Sequence, residues 1–161
     1  MSPLSSVNPS VDLVAFEEGF RNMIYLCPAG YPTVGFGRRV RVTDYETGEE
    51  VPLPASRSDE LYILAGKLGA LNGWLSTTYP WFDSLSSQRQ AVLISLAYQV
   101  GRTGFTKFRR MISALSKFDF EVAALQYLDS DAARQCPARF ARGARVIESD
   151  TPIALILSPL E

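Results

Sequence analysis

The first apolar positions to recur along the chain are Leu13, Phe16 and Phe20, spaced by three and four residues behind Asn8-Pro9. An asparagine side chain caps a helix start and a proline fits the first helical position, so a short amphipathic helix is predicted over 9–20. Glu17 and Glu18 fall near its end, just before Gly19, where the negative end of the helix dipole disfavours carboxylates. The pattern then changes. Ile24-Tyr25-Leu26, the turn formers Pro28-Ala29-Gly30 and the run Thr33-Val34-Gly35-Phe36-Gly37 read as a hairpin turning near 28–30. Gly35 and Gly37 weaken a strand unless something approaches its backbone closely. Arg39 to Val42 can supply a third strand, and Thr43 to Arg57, with Gly48 and two prolines, reads as a loop.

Helical period returns at Ser58. Asp59 and Glu60 suit a first turn, and Leu61, Leu64, Leu68, Leu71 and Leu75 follow as a stripe that marks a core-facing helix. Gly66, Gly69 and Gly73 weaken it, each by about 1 kcal/mol relative to alanine. Ser84 or Ser86 caps the next helix, in which Ala91-Val92-Leu93-Ile94 and Leu96-Ala97 are apolar on nearly every side, the mark of a buried central helix that Gly101 ends. Short helices are predicted around 106–116, 119–129 and 137–148. Helix, small sheet, long helix and helical bundle in this order give an α+β protein with most residues helical.

The length of 161 residues fits one domain or two small lobes sharing a core. A net charge of −1 hides an uneven distribution. Residues 1–60 carry five basic and nine acidic side chains, whereas Arg102 to Arg145 carries nine basic and four acidic. The basic half is either an attractor of polyanions or a solvated helical face. The sharper fact is that the chain contains no histidine. Ser-His-Asp and Cys-His catalysis are thereby excluded, and two cysteines without histidine do not furnish a typical zinc ligand set, so no metal is expected. Cys27 and Cys136 form no CxxC pair and give little information on compartment. Residues 1–17 lack the basic and apolar regions of a signal peptide, and the apolar run Ile153–Leu157 is too short to span a bilayer. A soluble protein without membrane insertion is expected.

Carboxylates, thiols, hydroxyls or an unseen cofactor must therefore carry any chemistry; the expectation is that no cofactor is used, and the junction of the first helix with the hairpin brings Glu18, Cys27 and Thr33 into question together. Beside apolar Phe16, Phe20 and Tyr25, a carboxyl has its charged form disfavoured and can act as a proton donor. A polar group across from it can hold a water, and glycoside hydrolysis needs such a pair. The alternative is a solvated glutamate at a helix end.

The stretch from Phe16 through Glu18-Gly19, Tyr25-Leu26-Cys27-Pro28-Ala29-Gly30 and Thr33-Val34-Gly35-Phe36-Gly37 closely resembles the signature of the phage lysozymes, endolysins of glycoside hydrolase family 24. That family has Glu-Gly after a helical run, eight residues to an Asp or Cys, and five more to a Thr; Glu18, Cys27 and Thr33 reproduce both spacings. Tyr98-Gln99-Val100-Gly101 with Gly104-Phe105-Thr106, and Gln135-Cys136-Pro137-Ala138-Arg139 with Arg142, resemble later family segments, so the resemblance covers about 9–150. It implies a lysozyme-like single domain over 1–161: an N-terminal lobe of about 9–60, a connecting helix of about 58–77, and a helical lobe of about 78–150 packed with helix 9–20, with a cleft between the lobes.

By the same resemblance Glu18 is the general acid, Cys27 stands where many members have Asp, Thr33 holds the attacking water and Arg139 supports the carboxyl. Tyr98, Phe108 and Gln126 fall near saccharide-binding positions, packing being their other reading. The substrate implied is bacterial peptidoglycan, cut with inversion between N-acetylmuramic acid and N-acetylglucosamine by a monomer made in the host cytoplasm. It would reach the wall, in the periplasm or from outside, with the help of a separate holin and so release phage progeny. Cys136, three residues before Arg139, is implied to lie near Cys27, where oxidation would cross-link the two. Two departures stand out: a free thiol titrates near 8.5 and is a weaker anion than Asp, and Arg38 replaces the histidine many relatives have. A non-catalytic or virion-associated wall binder of the same fold is the alternative; a nucleic-acid binder lacks any recognised motif.

Overall fold

The computed structural model describes residues 8–40 and 52–158. Helix α1 (Ser10–Glu18) leads into strands β1 (Arg21–Leu26), β2 (Pro32–Gly35) and β3 (Arg38–Arg39). Among the described residues seven further helices follow: α2 (Arg57–Thr78), α3 (Ser87–Thr106), α4 (Arg109–Ser116), α5 (Phe120–Leu128), α6 (Asp131–Gln135), α7 (Pro137–Ser149) and α8 (Ile153–Leu157), with a short 3-10 turn at Phe82–Ser84. The α+β architecture expected from the residue pattern is present. The chain divides into two compact units: one holds Val14–Lys67, and the other holds the described residues before Val14 and after Lys67.

In the first unit the three strands form an antiparallel sheet in the order β1-β2-β3. Tyr25 pairs with Thr33 and Leu26 with Pro32, while Thr33 and Val34 pair with Arg39 and Arg38. The turn sits where the sequence placed it, closed by the Gly30 N–H donating to the Cys27 carbonyl at 2.7 Å and the Cys27 N–H donating to the Tyr31 carbonyl at 2.9 Å. Val34 and Ala55 are buried together, with Ile24 and Val40 against them.

The second unit is helical. Ser86 caps α3 by accepting from the Arg89 N–H at 3.2 Å, and Ala91 to Ala97 are all buried, as their all-round apolarity requires. The regular helix stops at Gly101, as the sequence placed it: with φ 79° and ψ 166° this residue is a kink, and a second set of helical turns runs on to Thr106. Phe105 packs edge-on against Trp74 and beside Tyr79, and Tyr127 stacks on Phe140 with ring centroids 4.5 Å apart. The Arg89 guanidinium caps the end of α7 by donating to the carbonyls of Ile147 and Glu148 at 2.8 and 3.2 Å, and lies over the Phe120 ring. Ser86 also donates to Asp150 at 2.6 Å.

Several sequence expectations move. The first helix ends at Glu18 rather than 20, and its buried pair is Leu13 and Val14, whereas Phe16 is half exposed. The N-cap is as read: Asn8 Oδ1 accepts from the Ser10 N–H at 3.0 Å. In the leucine stripe Leu64, Leu68 and Leu75 are buried and Leu61 and Leu71 are partly covered. The third strand begins one residue early at Arg38, and 41–42 lie outside the described residues, as do 43–51 of the expected loop. The helix predicted from 106 starts at Arg109, while α6 and α8 were not anticipated.

Candidate active site

Glu18 is the last residue of α1, and the strands that follow return the chain to it. Gly37, at φ +80°, brings its backbone so close to the Glu18 carboxyl that a Cβ there would stand 3.1 Å from Oε2. Gly35, at φ +67°, does the same beneath Glu60: a Cβ would overlap Oε1 and lie 2.8 Å from Cδ and Cγ. The sequence reading required something to approach these two backbones closely; two carboxylates do so. Glu60 is almost fully buried and receives a fork from Arg38, Nε to Oε1 at 2.9 Å and Nη2 to Oε2 at 3.0 Å. Such bidentate charge-assisted bonds fix both partners in orientation. Desolvation of its ammonium and the Arg38 charge lower the pKa of Lys67, an otherwise exposed residue, and Glu60 partly offsets this.

Cys27 sits at the start of the hairpin turn and is partly exposed. Its sulfur accepts from the Tyr31 N–H at 3.4 Å. That hydrogen bond is the main reason its pKa falls below the usual thiol value; the Ala29 N–H, the Thr33 hydroxyl and the Arg39 charge add to it against a desolvation that raises it. The weakness of a thiol as a substitute for Asp is thus reduced by the turn that holds it. Thr33 is buried and its Oγ1 donates to the Tyr31 carbonyl at 2.8 Å. A hydroxyl has one proton, so an ionised Cys27 competes for it, while the oxygen lone pairs stay available to accept from water. Arg39, cross-strand from Thr33, lies over the Tyr31 ring at 4.1 Å. Sequence reasoning missed Arg39 and Glu60, although strand pairing and helical position bring them to Thr33 and Gly35.

The remaining expected residues belong to the helical unit. Arg139 is partly buried and donates from Nη2 to Ser95 Oγ at 3.2 Å. Phe108 and Gln126 line one pocket of about 600 Å³, together with Val100, Met111, Asp129 and Arg134. Tyr98 is partly buried near the end of the central helix and is not among that pocket's lining residues. Cys136 is exposed and, like Cys27, a free thiol; the Gln99 amide lies 3.7 Å from its sulfur. Among the described residues no three of Cys, Asp and Glu gather to hold a metal ion, and no helix is long and apolar enough to cross a membrane.

Residues 15–136 match the phage lysozyme family. The chain belongs to that family. Its α+β fold is accordingly lysozyme-like. The match spans Glu18, Cys27 and Thr33 and stops short of Arg139. A relative in Dictyostelium discoideum, the probable T4-type lysozyme 2, is 24% identical over 87% of this chain and 94% of its own length. The pre-baseplate central spike protein Gp5 of Enterobacteria phage T4 is 25% identical over 90% of this chain. That alignment spans only 30% of the spike protein.

Proposed function

We propose that this protein is a muramidase that hydrolyses the β-1,4 bond between N-acetylmuramic acid and N-acetylglucosamine in bacterial peptidoglycan. Glu18 protonates the bridging oxygen as the bond breaks. Positive charge then develops on the sugar ring, and the Cys27 thiolate opposes it and orients a water that the Thr33 oxygen accepts from. Attack from the face opposite the leaving group inverts the anomeric carbon, the water's proton passing to the Cys27 thiolate as the general base. Arg139, anchored on Ser95, is assigned a supporting role, and Tyr98, Phe108 and Gln126 saccharide binding; the pocket that Phe108 and Gln126 share supports this.

The observation that carries the reading is Cys27. Its sulfur accepts the Tyr31 N–H, while Thr33 bonds to the Tyr31 carbonyl and Arg39 lies over the Tyr31 ring, so one turn gathers a thiol, a hydroxyl and a guanidinium that would favour the thiolate. Digestion of purified peptidoglycan followed by mass analysis tests it. Reducing-end N-acetylmuramic acid is expected from the wild type and none from Glu18→Gln; anhydro-sugars would instead mean a lytic transglycosylase. NMR of the first-formed anomer checks inversion. Host-cell lysis at the end of a phage cycle, with a separate holin giving access to the wall, is the biological setting proposed. Similarity to the spike protein favours a second setting, in which the chain acts as part of a particle. Lysis that requires a pore-forming partner distinguishes the first from the second.

A further inference from the structure

From the geometry around Gly35 we infer that Glu60 is a positioning residue for the general acid, acting through the turn Gly35-Phe36-Gly37; the inference rests on the muramidase reading of Glu18. The turn carries two left-handed residues, Gly35 and Gly37, with Phe36 between them. Each of its three positions is held by something different. Glu60 lies against the Gly35 backbone, closer than any side chain there would allow. Phe36 is buried, with the Phe20 ring 5.3 Å away and the Arg57 guanidinium 5.5 Å over its own ring. Gly37 carries the Glu18 carboxyl on its open face.

Of these three supports, Glu60 is the one with fixed direction. Phe36 is held by ring packing, which tolerates sliding. The carboxylate of Glu60 is locked by the Arg38 fork, and Arg38 is itself the residue after Gly37. The chain therefore rests on Glu60 at Gly35 and is tied back to it at Arg38, three residues later. The short arc between the two attachments contains Gly37. A shift of Glu60 is transmitted to both ends of that arc, and so to the surface that sets where the Glu18 carboxyl rests. Displacement of a catalytic group by a fraction of an ångström costs turnover without weakening substrate binding.

The experiment must separate positioning from stability, because removing one member of a buried pair destabilises a fold, while replacing both by apolar residues of similar volume is often neutral. Glu60→Gln and the double variant Arg38→Met with Glu60→Leu serve. Expected for the double variant are a melting temperature at or above that of wild type, KM on peptidoglycan fragments within about twofold of wild type, and kcat at least about tenfold lower. Glu60→Asp, which keeps the charge but shortens the reach, is expected to recover part of kcat. A folded double variant with wild-type kcat overturns the inference. A second readout does not need activity: in wild type the Gly37 amide resonance follows the ionisation of Glu18, with Glu18→Gln as control, and in the double variant this response is lost or displaced. If the wild type cuts no peptidoglycan while the amide response behaves as expected, the muramidase reading fails and the geometric link stands. An unchanged response in the double variant refutes the link whatever the activity.

Discussion

Placing a methyl group on Gly37 tests whether the turn after β2 holds the Glu18 carboxyl in place. Gly37 sits at φ +80°, where an L-residue costs about 1–2 kcal/mol. Gly30, at φ +86°, carries the same backbone penalty with nothing within 4 Å of the added Cβ. Both alanine variants should therefore lose about 1–2 kcal/mol of stability, which for a chain of this length lowers Tm by roughly 2–8 °C. Only Gly37→Ala meets Glu18, its Cβ 3.1 Å from Oε2. For stability that contact is inexpensive, because the carboxyl is the end of a flexible side chain and yields by a few tenths of an ångström. For catalysis the same movement matters. A misplacement of about 1 Å can cost on the order of a hundredfold, so a shift of a few tenths should lower kcat roughly tenfold, equivalent to about 1.4 kcal/mol of transition-state stabilisation. Matched thermal melts and kcat on soluble peptidoglycan fragments, measured well below both melting temperatures, give the answer. Gly37→Ala with kcat within twofold of Gly30→Ala would refute the reasoning, since the turn would then have no hold on the acid.

Cys27 gives a pH prediction with a fixed sign. The thiolate fraction rises with pH, and because the Tyr31 N–H above all lowers the Cys27 pKa, activity should climb at a pH below that of an ordinary thiol. Cys27→Asp should carry that limb to acid pH and Arg39→Gln should move it upward; a pH–rate profile of Cys27→Ser that keeps the wild-type limb would contradict the assignment. In the helical unit, a methyl on Gly143 would run into the Tyr127 ring, which is stacked on Phe140, so Gly143→Ala should destabilise by about 1–3 kcal/mol through overpacking. Phe140→Ala, which empties a fully buried site, should cost about 3–5 kcal/mol. Ser86→Ala removes the N-cap of the central helix and the bond to Asp150, and urea titration should show a loss of about 0.5–2 kcal/mol for the cap.

Much of the fold is legible because burial imposes a period. The run Ala91–Ala97 is apolar on all sides and buried on all sides, and Leu64, Leu68 and Leu75 declare the inward face of α2. The pattern misleads at the first helix, where Leu13, Phe16 and Phe20 repeat correctly, yet Val14 is the fully buried residue and Phe16 is half exposed. A helix of nine residues offers two turns of evidence, too few for its stripe to be read to the residue. Helix α6, with five residues and only Ala133 buried, has no period to read; a serine cap is its one signal.

The site divides along the same line between local and distant causes. Glu18, Cys27 and Thr33 are close in sequence, and the hairpin turn sets Cys27 across from Tyr31, to whose carbonyl Thr33 also bonds, without help from elsewhere. Their partners are another matter. The glycines at 35 and 37 announce that two bodies approach the strand, but a glycine records only an absence of side chain and cannot name what fills it. Glu60 is twenty-five residues downstream of Gly35, and in the sequence it looks like any acidic residue in a helical first turn. Its burial against Gly35 and its fork with Arg38, neither readable from spacing, separate it from the exposed Asp59 beside it. An arginine is a planar cation with a fixed fork of donors, best met by a carboxylate presenting both oxygens. Arg38, one of the two departures that stood out in the sequence, is one half of such a pair. Its other half had to be an acid able to reach beneath Gly35, and Glu60 meets both conditions.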